Sequence, residues 1–388
     1  MKICVVTPSF YPATIYGGSI FSTYHTCAEL AAQGVEVFVS TTNANGGKKL
    51  DVVPNRAIRF GERFFVKYYD DTIVGRFSWR FILAVWQDIK ACDVVRIEDI
   101  FSTYIPPSLL YAKLFSKRML ISPRGVLSKW ALGSKKAFLK QVWLTFLIKP
   151  FLRKSWWHAT SMQERAEILE FYPKAKVVLI PNGIDFDQFG RVQRLSRNQY
   201  MKRFAKVDRS PEIIVVSMGR LHKVKAFSVL VDAFARLLAD AGDAALLVAG
   251  EDEGERRNLE SQIARLSLTG KVFLVGEVSG QDKVDFLAGG DLFALPSHSE
   301  NFGNAYLEAM AAGLPIVASK GTPWAEVEDA GCGKWVENTV EATYSAMKDI
   351  LKGDAKAMGK AAMDHAKRYD WRNIAVQFKA VFSEMMAS

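Results

Sequence analysis

The feature that most restricts the fold of this chain is an alternation of short, continuously apolar runs with helix-length segments. Ile3 to Thr7 is such a run, residues 20–33 carry Phe21, Ala28, Leu30 and Ala31 at helical spacing, and Gly34 closes that helix before a second run from Val35 to Ser40. Further runs at Val94–Ile97, Met119–Ser122 and Val177–Ile180 alternate with helical segments at 104–116 and 161–171. Strand, helix and strand in repetition build a parallel sheet covered by helices. The alternation then restarts. Runs at Ile213–Met218, Ala245–Ala249, Val272–Val275, Leu292–Leu295 and Pro315–Ala318 are separated by helical segments over 226–240, 254–267, 281–288 and 304–312. The expected fold class is therefore α/β, with two doubly wound, Rossmann-like domains in series over 1–190 and 191–369. A last amphipathic helix within 370–388, with Ile374, Phe378, Val381 and Phe382 on one side, can dock on either domain and is assigned to the first.

Composition excludes several classes of protein. With 388 residues and 49% hydrophobic side chains the chain can bury a full core, and no apolar run approaches the roughly 18–20 residues of a membrane span. The amino terminus, Met1-Lys2-Ile3-Cys4-Val5-Val6-Thr7-Pro8, has no signal-peptide pattern, so a cytoplasmic chain is expected. Cys4, Cys27, Cys92 and Cys332 are scattered and read as reduced structural thiols. The net charge of +10 is unevenly placed, because residues 1–200 hold 28 basic and 15 acidic side chains. No acid occurs between Asp99 and Glu164, a stretch containing Lys113, Arg118, Arg124, Lys129, Lys135, Lys136, Lys140, Lys149, Arg153 and Lys154. Such a half expects an anionic partner.

The densest constellation runs from Pro296 to Pro315, reading PSHSENFGNAYLEAMAAGLP. A strand ends there, a polar loop carries Glu300, Asn301, Phe302 and Gly303, and a helix opens near Asn304. Such a helix start binds anions through its open N–H groups and dipole. Glu300 then sits beside the anion and Glu308 about one turn into the helix, where carboxylates can hold sugar hydroxyls. Ala305, Leu307 and Met310 make the helix apolar nearly all round, so Glu308 requires a partner.

This Glu-x7-Glu pattern, with its surrounding Pro-Ser and Glu-Ala-Met-Ala-Ala-Gly, resembles the signature of retaining, nucleotide-sugar-dependent glycosyltransferases of family 4, and the resemblance extends over essentially the whole chain. It implies the GT-B architecture, two Rossmann-like domains facing an interdomain cleft, and transfer of a hexose from a UDP- or GDP-sugar without a metal or other cofactor. The loop from Ser297 to Gly303 with Gly321-Thr322-Pro323-Trp324 looks most like bacterial enzymes assembling lipopolysaccharide or exopolysaccharide. In that family an Arg and a Lys five apart, here Arg220 and Lys225, grip the donor diphosphate; the next residue is usually Gly and is here Ala226. Two fixed cations at the leaving phosphate stabilise charge that develops in the transition state. Arg220, Lys225 and Glu300 are accordingly expected to be catalytic. Gly17 and Gly18, Glu277 and Val278 (the base pocket), Asn301, Phe302, Gly303, Asn304 and Glu308 are expected to bind donor. A nucleotide-sugar epimerase or hydrolase of the same fold, and a non-catalytic binding subunit, are the alternatives.

Three further segments complete the reading. Arg124, in Ser122-Pro123-Arg124-Gly125, stands where many family members place a histidine, and is assigned to electrostatic binding of an acceptor anion. Asp185-Phe186-Asp187 spells a metal-binding pattern of another glycosyltransferase fold, yet lies in a turn between domains, and no metal is expected. Residues 135–157, KKAFLKQVWLTFLIKPFLRKSWW, interleave cations with Phe, Leu and Trp, which suits a helix lying on an anionic membrane surface. With that surface, the resemblance implies a lipid-linked or polysaccharide acceptor at the inner membrane face, and no nucleic-acid motif is present.

Overall fold

The computed structural model describes residues 1–388 apart from 72–76, 134–136, 190–191, 193–194 and the side chain of Lys129. Lys135 and Lys136, and the expected boundary between 190 and 191, lie outside the described residues. The chain divides into two compact units, Met1–Gly183 with Trp371–Ser388, and Ile184–Asp370.

In the first unit β1 (Lys2–Val6), α1 (Gly18–Ala32) and β2 (Glu36–Thr42) form the opening strand–helix–strand element. A small hairpin, β3 (Ala44–Asn45) and β4 (Lys48–Lys49), precedes β5 (Ala57–Gly61), β6 (Phe64–Tyr69) and α2 (Trp79–Lys90). The chain continues through β7 (Val94–Glu98), α3 (Ile105–Leu114), β8 (Arg118–Ser122), α4 (Lys129–Leu132), α5 (Ala137–Val142), β9 (Trp156–Ala159), α6 (Met162–Phe171) and β10 (Lys176–Leu179). The sheet order is β10-β9-β8-β7-β1-β2-β6-β5, parallel except for the edge strand β5. No element is predicted between residues 41 and 93; β5 and β6 mix apolar and polar positions at the edge of the sheet, whereas α2 does carry Phe81, Val85 and Ile89 at helical spacing.

Alternate residues of each strand feed two separate cores. Ile3, Val5, Val94 and Leu120 pack under one face; Cys4, Val6, Val95 and Ile121 pack under the other. Trp156 joins the first set and Trp157 the second, and both are buried. This corrects the reading of 135–157 as one membrane helix. Its last two tryptophans are consecutive residues of the strand β9 on opposite sides of the sheet, as the two-residue period of a strand requires. The segment before them forms α5 and then a π-helical turn over Trp143–Ile148.

The second unit contains α7 (Arg197–Phe204), β11 (Ile213–Met218), α8 (Phe227–Ala241), β12 (Ala244–Ala249), α9 (Arg256–Arg265), β13 (Val272–Gly276), α10 (Gly280–Ala288), β14 (Leu292–Leu295), α11 (Asn304–Ala311), β15 (Ile316–Ser319), α12 (Glu326–Asp329), β16 (Gly333–Val336), α13 (Val340–Lys352) and α14 (Ala355–Ala366). Its six strands are all parallel in the order β13-β12-β11-β14-β15-β16. Local sequence sets several helix starts. Ser196 and Gln199 form a reciprocal capping box for α7, and the Thr339 and Asp354 side chains accept the first-turn amides of α13 and α14.

The chain then returns to the first unit as α15 (Trp371–Ala387), which packs on α1 and buries Ile374, Phe378 and Phe382. Phe378 lies under the guanidinium of Arg96, 4.2 Å from its ring centre, and edge-on to His158 at 4.9 Å. A Phe378→Ala change removes that packing, and we expect a loss of about 3–5 kcal/mol of stability. Urea denaturation followed by tryptophan fluorescence measures it.

Candidate functional site

Each sheet reverses its direction of strand addition once, and a doubly wound sheet opens a crevice for ligands at the carboxyl ends of the strands flanking that point. In the second unit those strands are β11 and β14, since the chain adds β12 and β13 on one side and β15 and β16 on the other. The loops leaving them, 219–226 and 296–303, carry Arg220, Lys225 and Glu300.

The structure brings Lys225 and Glu300 together. Lys225 Nζ lies 2.5 Å from Glu300 Oε1, with side chains only 15% and 11% exposed. Ser297 Oγ, fully buried, donates to the same oxygen at 2.7 Å. The Glu300 amide is fixed by the Gly321 carbonyl at 3.1 Å. Any side chain at Gly321 would strike the His298 carbonyl, its Cβ falling 2.2 Å from that oxygen. Gly303, at φ 82°, turns the loop into α11 with no side-chain cap, and no acidic residue occupies the first turn. The start of α11 therefore keeps its positive character. Ala226, where a glycine was expected, adopts a left-handed φ of 50°, a conformation that costs a non-glycine residue about 1–2 kcal/mol.

The remaining donor candidates have mixed placements. Glu308 is half-buried on α11 and takes its expected partner from α10, Lys283 Nζ at 2.6 Å. Arg220 does not join Lys225; it is mostly exposed and donates to Glu253 Oε1 at 2.6 Å. Phe302 is a core side chain packed on Trp324, and its carbonyl accepts from the Trp324 indole at 2.6 Å, so its ring lies in the core and not in the loop's open side. Glu277 is exposed after β13, while Val278 packs on the core. Asn301 and Asn304 flank the loop at the start of α11. A cavity of about 280 Å³ opens beside the loops, lined by His222, Lys223, Ser228, Glu255 and His298. Ser297, Lys283 and Glu253 were not foreseen. Only Ser297 had a sequence signal, three residues before Glu300 in the same motif.

In the first unit Gly17, at φ 78°, leads the loop into α1, whose first residue is Gly18. Arg124 requires a correction. Its guanidinium does not face an open anion site, because Nε and Nη2 donate to both oxygens of Glu98 at 2.7 and 3.0 Å, and Nη1 donates to Asn182 Oδ1 at 3.0 Å. Thr23 also donates to Glu98, at 3.0 Å. Glu98 further sits 2.7 Å from Arg96, whose fully buried guanidinium makes no hydrogen bond among the described residues. Burial alone would raise the Glu98 pKa, but the charges of Arg124 and Arg96 outweigh it and hold the carboxyl down at about 2. His158 is kept neutral, well below its usual range, by burial and then by the same two arginines; its Nε2 faces the Ile180 carbonyl at 2.7 Å. Arg124 is thus part of a buried ionic cluster that fixes the carboxyl ends of β7 and β8. Its partners lie 26, 58 and 101 residues away, so no spacing could announce them.

Residues 199–365 match the family model for glycosyl transferases group 1, and residues 16–188 match that for glycosyltransferase family 4. The chain belongs to these glycosyltransferases. A D-inositol 3-phosphate glycosyltransferase of Corynebacterium aurimucosum is 28% identical over 242 residues, 58% of this chain and 56% of the relative. A GDP-mannose-dependent alpha-(1-6)-phosphatidylinositol dimannoside mannosyltransferase of Mycobacterium tuberculosis is 29% identical over 213 residues, 54% and 53% of the two chains. The chain spans about half the length of the curated relatives it matches. Among solved structures, Anabaena Alr3699/HepE in complex with UDP superimposes with a TM-score of 0.75 at 18% identity, covering 99% of this chain and 100% of that one. Both units thus have the Rossmann-like architecture of the GT-B class.

Acid should weaken the first unit in two stages. His158 gains a proton only on unfolding, so stability begins to fall as pH drops below about 6.5. The Glu98 contribution is complete above its ordinary 4.5 and is lost progressively as pH falls towards about 2. Glu98→Gln removes the second stage, leaves two buried guanidinium groups without their counter-ion, and costs about 3–5 kcal/mol at neutral pH. Urea denaturation across pH 2.5–8 resolves the two contributions.

Proposed function

We propose that this protein is a retaining hexosyltransferase that moves a sugar from a UDP- or GDP-sugar to a lipid-linked or polysaccharide acceptor at the inner face of the cell membrane. The observation that carries the reading is the Lys225–Glu300–Ser297 cluster at the topological switch point, built from the loops that the family motifs occupy. Lys225, held by Glu300, grips the donor diphosphate, and Arg220 reaches the same diphosphate by leaving Glu253. Together they stabilise the departing phosphate as its charge develops. Glu300 holds hydroxyls of the donor sugar, Glu308 the ribose, and the backbone from Phe302 to Asn304 the phosphate. Glu277 and Val278 border the base, while Gly17 and Gly18 permit close approach of the chain to the donor.

Glu300 is tied to both Lys225 and Ser297, and neither Glu300 nor Ser297 is assigned as a nucleophile. In the reaction we infer, the bond from the anomeric carbon to the leaving phosphate oxygen breaks, and a bond to the acceptor oxygen forms on the same face. The acceptor proton passes to the leaving phosphate. No step requires a metal or another cofactor. Support for the acceptor class comes from the absence of acids between Asp99 and Glu164 and from the phosphatidylinositol dimannoside substrate in the name of the mycobacterial relative. An epimerase or hydrolase would need a water-activating carboxylate in the first unit. Glu98, the acid nearest Arg124, is committed to two arginines.

The first test is a thermal-shift panel of UDP, GDP, ADP, CMP and NAD. Saturation at about 100 times Kd stabilises by about 2.7 kcal/mol, so one nucleoside diphosphate should raise Tm and NAD should not. With the matching nucleotide sugar, Lys225→Ala and Glu300→Ala should each lower kcat by about 100-fold or more, and product NMR should show an unchanged anomeric configuration. Wild-type rates in both variants would refute the site.

A further inference from the structure

The helices α2 and α3, with the π-helical turn after α5, lie side by side over one face of the first unit's sheet, and α5 leads into that turn without burying a residue of its own. Tyr111 of α3 donates to the Ile82 carbonyl of α2 at 3.3 Å, Trp86 and Phe115 pack with tilted rings 6.4 Å apart, and Lys113 lies 5.6 Å over Phe151 beyond the π-helical turn. Helix axes in such a layer are 8–10 Å apart, which gives an outer surface about 20 Å wide. That surface is strongly apolar. More than half of the exposed large apolar side chains among the described residues belong to it, including Trp79 and Leu83 on α2, Leu114 on α3, and Phe138, Leu139 and Phe146 beyond them. Leu83 is 67% exposed and Phe138 78%. Patches of this extent are rare on a surface that meets only water.

The charges on the same surface have one sign. Arg80, Lys90, Lys113, Lys140 and Lys149 are its charged groups among the described residues. The sole acid of these helices, Asp88, turns inward to accept from Ser40 and Tyr69 at 2.8 and 2.5 Å. The layer on the opposite face, α1 and α15, instead exposes acids with its cations, as at Glu384 beside Lys176. Two copies joined through the apolar layer about a two-fold axis would set like charges against each other. An anionic bilayer satisfies both features at once, because headgroups attract the cations while the apolar side chains enter the acyl boundary.

We propose that the outer face of this whole layer, α2 and α3 as well as α5, is the surface by which the protein lies on an anionic membrane. The proposal rests on the membrane-acceptor reading above and extends the contact well beyond the basic segment 135–157. Trp79, Leu83 and Leu114 anchor one side, Phe138 and Phe146 the other, and the lysines and Arg80 ring them at headgroup depth.

Co-sedimentation with phosphatidylglycerol–phosphatidylcholine vesicles, against phosphatidylcholine alone, tests it. Two double variants at exposed positions are used, Leu83→Glu with Leu114→Glu and Phe138→Glu with Phe146→Glu. Both should keep the nucleotide thermal shift of the parent and lower partitioning onto anionic vesicles by about tenfold or more, with the parent's own binding weakened by salt. If only the Phe138 and Phe146 pair loses binding, contact is confined to α5 and the proposal is overturned. Equal binding by parent and variants, or no preference for anionic lipid, overturns it as well. So does a parent that dimerises in lipid-free buffer and is made monomeric by either pair, since the face would then pair with itself. Nucleotide shift and transfer to a water-soluble acceptor are read separately, so a failed docking surface is distinguishable from a failed enzymatic reading.

Discussion

Parallel strands that are apolar on both sides leave neither face of their sheet to water, and this constraint organises both units. Helices must cover each face, every connection must cross from one edge of the sheet to the other, and all loops that follow strands collect at the carboxyl edge. The place where strand addition reverses is then the one position at which two such loops diverge. In the second unit that position holds Lys225 and Glu300. The site is a consequence of winding order before it is a consequence of side-chain chemistry.

Covering two faces also separates two kinds of surface. In the first unit one face is closed by α1 and the returning α15, whose Phe378 seals the buried Arg96. The other is closed by α2, α3 and the π-helical turn after α5, which bury one stripe and leave a second apolar stripe outside, continued by α5, none of whose residues is buried. A helix needs only one apolar side to cover a sheet. A second one has no role in the core, and it is this surplus, together with charges of one sign, that marks the layer.

Buried charge is the other recurring device. Glu98 is affordable inside only because two guanidinium groups meet it, and Arg96 and Arg124 only because Glu98 does. Lys225 and Glu300 stand in the same relation, as do Lys283 and Glu308. The difference lies in access. The first cluster is enclosed and committed to structure, whereas Lys225 and Glu300 stand on the loops that leave β11 and β14, and Lys283 and Glu308 on α10 and α11, with both pairs partly open to solvent.

What the amino-acid sequence alone determined was everything carried by local period and short spacing. The alternating strands and helices, the helix opening near Asn304, the loop around Glu300 and the charge asymmetry all concern residues within a turn or two of one another, where backbone geometry ties sequence to structure directly. Only the tertiary structure decided which charges meet. Arg124 looked like a free anion-binding group until Glu98, Asn182 and Thr23 closed on it from 26, 58 and 101 residues away, and Arg220 turned to Glu253 rather than towards Lys225. Trp156 and Trp157 looked like the end of a surface helix, yet they form a strand, because the sheet between β8 and β10 needed one more buried pair. Composition cannot separate an aromatic that faces lipid from one that faces a core. Burial depends on which elements lie above and below it, and those are chosen by contacts between segments distant in sequence.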